Sequence, residues 1–338
     1  MHRTVRTFRT VIVEARFSSL IVSLCVIAMR YGLFLRHEIS ENFFPDTGYV
    51  WKFISPWFQH SWVSFAASTA SVFIIAWLLS SINNRFSLIR SRTSLPFIVP
   101  LILFSLHPYF LAMSPDYITI ILVLYGFVPL LRSYQQDNTQ LFSFSSSVLI
   151  GIAALFQIYA LLILPLWWRG EYSMRGGHFK SFLASVFGVL LVFWSVFAVY
   201  FFFDNVEGFI APFLNFADFS ILQIPQFSLL EWVGVAIAFV LTLLFMIFTI
   251  RTYIRDKVIT LVTIQFMVFI LIFLLIFQAV YWSKTLFFFS LGLALLSYLV
   301  AYFYTITANK LHIYGAYLIL GLMMVFYFIN YLSFLPQL

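Results

Sequence analysis

SFSSSVLIGIAALFQIYALLILPLWW, residues 143–168, is apolar over 26 residues, with the amide of Gln157 near its middle. It can cross a membrane once, or enter and return as a hairpin, and the two readings orient everything after it differently. Nine further apolar runs cover residues 18–35, 60–81, 94–112, 115–131, 181–203, 231–250, 258–277, 285–306 and 312–331. A transmembrane helix needs about 20 such residues. Cytoplasmic loops of membrane proteins are enriched in Lys and Arg, so the basic residues arbitrate. If residues 143–168 cross once, the Lys and Arg residues outside the spans divide nine and nine. If they return, Arg169, Arg175, Lys180, Arg251, Arg255, Lys257 and Lys310 join the basic N-terminus on one face. The division is then 15 to three, with Arg30 left inside a span. The 12 acids lean the other way, four against eight. The hairpin reading therefore prevails. Each arm of about 13 residues would span roughly 20 Å as helix, short of a hydrocarbon core of about 30 Å. The hairpin is expected to be re-entrant or buried by its neighbours, because irregular backbone at that depth needs protein or a water-filled cavity around it. The simpler reading of Gln157 is a hydrogen bond to a neighbouring helix.

The sequence thus predicts an all-α, polytopic transmembrane helical bundle of about nine full spans plus one re-entrant helical hairpin. By the basic-residue bias the N-terminus is expected on the cytoplasmic face and the C-terminus on the outer face. The whole chain reads as one integral-membrane domain. It comprises a basic N-terminus (1–17), a first module (18–203), an outer loop (204–230) and C-terminal helices (231–338). Hydrophobic residues make up 63% and charged residues 9%, with mean hydropathy +1.00, which excludes a soluble domain. The charge of +7 is spread over short loops, where it sets topology and meets anionic lipid rather than nucleic acid. The single cysteine, Cys25, excludes an intrachain disulfide and a Cys-based metal site. The apolar run after the basic start holds Arg30 and has no small-residue cleavage site, so a retained first span is expected rather than a signal peptide. Residues 47–59, GYVWKFISPWFQH, read as a helix lying in the interface. No internal repeat is visible, which disfavours an inverted-repeat transporter.

The outer face collects His37, Glu38, Glu41, Asp46, His60, His107 and Asp116. A carboxylate there can serve as general base toward a hydroxyl or amine, and two carboxylates can hold a divalent cation. A solvated loop is the ordinary alternative. No HExxH, HxH or CxxC pattern supports zinc or iron, and no glycine-rich loop or GxSxG elbow is present. Arg30 lies about 8 Å from the outer end of the first span, so it either meets a lipid phosphate or snorkels. Lys284 and Trp282, in the outer turn QAVYWSK, can face a lipid head group. Pro108 and Pro115 break the helix around His107. No acid falls at a span midpoint, which counts against a proton- or sodium-coupled carrier.

Two stretches carry a family resemblance. One is ENFFPDTGYVW in the first outer loop. The other runs from LFSLHPYFLAMSPDYITIILVLYGFVPLLRSY through FSSSVLIGIAALFQIYALLILPLWW. Together they resemble the membrane module of the GT-C superfamily, the glycosyltransferases that use polyprenyl-phosphate-linked sugars. The resemblance implies a GT-C-like N-terminal module, with Asp46 as the first-loop acid acting as base or metal ligand. It implies Asp116 as the second acid and Gly151-Ile152-Ala153 as the glycine-containing arm. Residues 94–203 also resemble an uncharacterised polytopic inner-membrane protein family of Bacteroidota, a domain of unknown function. The first loop departs from the GT-C pattern, since Thr47 follows Asp46 and the nearest other acid is Glu41. The expected catalytic residues are Asp46, Asp116 and His107. Arg30, His60, Gln157 and Lys284 are the expected substrate-binding set, and a divalent cation is the one cofactor that the acids suggest. The alternative is a non-enzymatic component of a cell-envelope complex, which keeps the fold without catalysis and binds other envelope membrane proteins.

Overall fold

The computed structural model describes residues 16–36, 48–136, 140–217, 229–252, 257–282, 285–307 and 309–332. Every regular element among them is helical. The first half contains α1 (Arg16–Arg36), α2 (Trp51–Ile54), α3 (Ser61–Phe86), α4 (Leu95–Leu103), α5 (Pro115–Arg132), α6 (Gln140–Phe156) and α7 (Ile163–Arg175). Then follow α8 (Phe179–Phe202), α9 (Val206–Leu214), α10 (Leu229–Thr252), α11 (Val258–Val280), α12 (Phe287–Ile306) and α13 (Lys310–Leu332). Eight of them, α1, α3, α5, α8 and α10 to α13, are long and apolar enough to cross a membrane. This is the build of a multi-pass membrane protein.

Hydrogen bonds sort the helix ends into two layers. At one end Ser18 meets Ser94 (3.2 Å), Thr305 meets Thr93 (3.2 Å) and the Thr260 hydroxyl donates to the Leu88 carbonyl (2.9 Å). At the other, the Met113 N–H donates to Ser64 Oγ (2.8 Å), Tyr327 to the Met29 carbonyl (2.9 Å) and Asn330 to the Leu106 carbonyl (3.2 Å). Arg85, Arg90, Arg92, Arg132, Lys257 and Lys310 lie in the segments at the first, basic end. At the opposite, acidic end Arg36 and Lys52 sit over the rings of Tyr331 (5.0 Å) and Tyr200 (5.6 Å). The charge bias of the sequence therefore coincides with the two ends of the bundle.

α12 forms the centre, with Phe287, Leu291, Tyr298 and Tyr302 buried. Its hydroxyls on Ser297 and Thr305 donate to carbonyls of their own helix, so it can be enclosed on all sides at little polar cost. α1, α8, α10 and α13 lie outside it and expose Leu20, Phe187, Val240 and Leu318.

The structure alters two expectations. Residues 94–112 connect the two ends of the bundle, but not as one continuous helix: α4 stops at Leu103, and a single 3-10 turn, Pro108–Leu111, follows. Pro108 has no N–H to continue the ladder, and the residue before a proline is driven to extended backbone; His107 sits at φ −130°, ψ 139°. The hairpin over 143–168 forms, but with longer arms than expected. α6 has 17 residues, about 25 Å. The chain reverses at Gln157, whose backbone is extended, and Glu171 returns to accept hydrogen bonds from Ser143 and Ser146. The apex reaches the acidic end, where the Val50 N–H donates to the Leu155 carbonyl (3.0 Å). Full arms are possible because α6 is enclosed. Gly188 of α8 lies so close that an added Cβ would come 2.3 Å from Ser147 Oγ and 2.9 Å from the Phe144 carbonyl oxygen. Small residues on both faces let the backbones approach in this way.

The interfacial segment is amphipathic as expected. Trp51 is buried while Phe53 and Trp57, on α2 and the following 3-10 turn, are exposed.

Candidate functional site

Two broken helices meet at the acidic end, and each break exposes backbone carbonyls that need donors. Arg30 answers the first. It is 0% exposed. Its Nη1 donates to the Phe104 carbonyl (2.8 Å) and its Nη2 to the Phe110 carbonyl (2.8 Å) and Ser68 Oγ (2.9 Å), while Nε donates to Thr69 Oγ1 (3.0 Å). Phe104 caps the C-terminus of α4, the negative end of that helix dipole, so a cation is favoured there. The expected snorkelling or phosphate-facing Arg30 is thus corrected. Its fork is turned into the bundle because only a planar multi-donor group satisfies several carbonyls at one point.

The second break centres on Gln157, which is 3% exposed. Its Nε2 donates to Asp116 Oδ1 (3.0 Å) and to Thr285 Oγ1 (3.1 Å). Asp116 lies in the first turn of α5, where the helix dipole favours an acid, and is 5% exposed. Thr285 also accepts from the Phe287 N–H (3.1 Å), and its carbonyl accepts from Gln278 Nε2 (2.9 Å). Gln278 Oε1 in turn accepts from the Phe289 N–H (2.8 Å). One polar chain, Asp116–Gln157–Thr285–Gln278, therefore joins α5, the hairpin apex, α11 and the start of α12. The oxygen of the apex amide, Gln157 Oε1, is buried with no hydrogen-bond partner among the described residues. Tyr109 and Tyr117 lie within electrostatic reach of Asp116.

The remaining expected residues fall as follows. His107 caps the 3-10 turn, its Nδ1 accepting from the Tyr109 N–H (3.1 Å), and its ring stacks on Phe326 at 6.3 Å. His60 stands exposed at the N-cap of α3 without a side-chain cap bond. Asp46 and Lys284 lie outside the described residues, as do His37, Glu38 and Glu41. The chain beginning two residues after Asp46 is described, and it docks on the hairpin apex. A Cβ at Gly48 would come 2.2 Å from the Phe156 carbonyl oxygen, so this approach requires glycine.

Beside the polar chain lies a cavity of about 160 Å³ bordered by α10, α11, α12, α13 and the segment after α4. His107, Tyr109, Gln278 and Trp282 line one part, and Leu103, Leu241, Leu296 and Ile319 another. Gln278, Thr285 and Tyr109 were not singled out from the sequence. The signal for Gln278 was legible, as an amide at the edge of an apolar run. Among the described residues no three His, Cys, Asp or Glu side chains gather closely enough to hold a metal ion. Asp116 alone does not make a divalent-cation site, so no step is derived through one.

Compared with family models, curated proteins and solved structures, the chain matches none.

Proposed function

We propose that this protein is a GT-C-like membrane glycosyltransferase that works at the acidic end of the bundle, moving a sugar from a polyprenyl-phosphate carrier to an acceptor. The observation that carries the reading is a buried carboxylate, Asp116, braced by an amide from the apex of a helical hairpin, with the segment after Asp46 docked on that same apex. Asp46 is the base toward the acceptor hydroxyl, or one ligand of a divalent cation. Asp116 and Gln157 hold the floor of the site, His107 and Tyr109 form its side, and Lys284 meets the donor phosphate. Arg30 keeps the broken segment in place and does not touch substrate. The basic end faces the cytoplasm by the positive-inside rule, which puts the chemistry on the periplasmic side of the inner membrane.

The test uses the full chain in liposomes with a radiolabelled polyprenyl-phosphate hexose. Asp46→Asn and Asp116→Asn should each abolish transfer while thermal unfolding stays near that of the parent. Normal turnover by both variants would remove the acids from the chemistry and the reading with them. A second reading, a non-enzymatic component of an envelope complex, is favoured by one observation. Asp116 and Arg30 both have hydrogen bonds inside the fold. It expects crosslinking to another envelope membrane protein that survives Asp116→Asn.

A further inference from the structure

We infer that α9 is a strap that lies in the membrane leaflet at the acidic end and closes the Asp116–Gln157–Thr285–Gln278 chain off from it, so that a ligand reaches the chain when α9 lifts. The inference does not depend on what the site catalyses.

A sharp turn sets the strap across the end of the bundle. Asp204 takes the left-handed conformation at φ 49°, and the Asn205 side chain accepts from the Gly208 N–H (3.0 Å) to cap α9. Tyrosines of three separate segments then fasten it. The Tyr49 hydroxyl donates to the Phe209 carbonyl (2.6 Å), Tyr281 to the Phe216 carbonyl (3.0 Å) and Tyr159 to the Asn215 carbonyl (3.4 Å, the longest). Asn215 and Phe216 follow the last residue of α9, where a helix leaves carbonyls without intrahelical donors. Tyr159 comes two residues after Gln157 at the hairpin apex, and Tyr281 three after Gln278 at the end of α11. The strap is thus tied to the two elements that carry the amides of the polar chain. Asp116, Gln157, Thr285 and Gln278 are all buried.

The faces of α9 divide between protein, lipid and water. Val206, Phe209, Ile210, Phe213 and Leu214 share one arc of about 140° around the helix. The inner part of that arc packs on the bundle. Phe209 stacks on Tyr49 with ring centroids 5.7 Å apart, and Phe213 meets Phe193 at 5.5 Å. The outer part does not, since Ile210 is 48% and Leu214 64% exposed. Glu207 and Ala211, beyond the arc, are exposed as well. A helix divided in this way settles in an interface, its apolar side in hydrocarbon and its acid in water.

Continuity selects lipid as the occupant of the outer part. α8 exposes Phe187, Leu190, Trp194 and Phe202 along a length sufficient to cross a membrane, so that face meets lipid. α9 begins four residues after α8 ends, and Ile210 and Leu214 extend the same surface. Residues 204–217 contain no Lys or Arg, so the attachment is made by apolar area and needs no anionic lipid. None of the residues of α9 is fully buried, so little beyond the hydroxyl bonds and the aromatic contacts resists its lifting.

The experiment uses the full chain with Cys25→Ser in phosphatidylcholine nanodiscs. A bimane on Ile210→Cys should be quenched at least threefold more than one on Glu207→Cys by phosphatidylcholine that carries a nitroxide near its head group. Iodide should reverse that order. Equal quenching of both by iodide would put the strap in water, and quenching of neither would put it against a second copy or another protein. Either result overturns the inference. Closure is read from a third cysteine, Thr285→Cys. N-ethylmaleimide should modify it at least tenfold faster when Tyr159→Phe and Tyr281→Phe remove two of the tethers. If that pair does not fold, Tyr49→Phe alone should give a threefold gain. An unchanged rate in the folded variant would also overturn the inference, because α9 would then not control access. Neither readout needs sugar transfer, so a protein that transfers no sugar can still show the strap, and an active one can still lack it.

Discussion

A guanidinium carries five N–H donors in one plane, and Arg30 directs two hydrogen bonds from it to carbonyls of the break after α4 and two to the hydroxyls of Ser68 and Thr69 on α3. Removing that side chain leaves the Phe104 carbonyl buried without its donor, while the Phe110 carbonyl keeps the Tyr117 hydroxyl (2.6 Å). Such an orphan costs about 1–3 kcal/mol. Arg30→Ala should therefore destabilise the protein by about 1–3 kcal/mol, read as a lower unfolding temperature in detergent. Arg30→Lys should fall between, because one ammonium cannot reach both carbonyls and both hydroxyls. A parent-like unfolding temperature for Arg30→Ala would show that the break does not depend on it. The sequence marked Arg30 as unusual but could not say which way it turned. An intramembrane cation has no local signal for its partners, and these lie 38 to 80 residues away. Asp116 and Gln157 were each marked separately, yet their contact is 41 residues apart in the chain and became visible only in three dimensions.

Among the elements, the hairpin shows most clearly what periodicity can and cannot predict. Its existence followed from the basic-residue balance, whereas the sequence offered Gln157 only as a hydrogen-bonding amide and the structure shows that the chain turns there. Its length did not follow, because Gln140–Phe156 begins three residues ahead of the purely apolar stretch. Enclosure by α8 lets the helix continue into polar sequence. Gly188 is the point of closest approach, with the Phe144 carbonyl and Ser147 hydroxyl in the space a side chain would need. Gly188→Val should force α6 and α8 apart and cost about 1–3 kcal/mol, whereas Gly315→Val, where nothing lies within 4 Å, should be near neutral. Equal unfolding temperatures for the two variants would sink this account of the packing. The broken span over 94–112 was legible in part, since Pro108 and Pro115 mark a helix break around His107 in the sequence. That the chain still connects both ends depends on Arg30 and Ser68 accepting the task of the missing ladder.

For the whole molecule, the arrangement makes a topological prediction. In a chain with Cys25→Ser, single cysteines at Gln136 and Gly177 should react with an impermeant maleimide from the same side of the membrane, and one at Gln59 from the opposite side. Labelling of Gln136 and Gly177 from opposite sides would mean that the hairpin crosses once. The sequence by itself determined the class, because apolar runs of membrane length and a one-sided set of basic residues are local or additive quantities that need no contacts. It also determined which residues were out of place in such runs. Only the tertiary structure decided what those residues do. Arg30 turns inward, Asp116 meets Gln157 and Thr285, and an apolar cavity opens beside Gln278. Each depends on helices distant in the chain coming within hydrogen-bonding or packing distance, and in a bundle of uniformly apolar helices the rotational setting that brings them there is written in steric fit rather than in any periodic pattern.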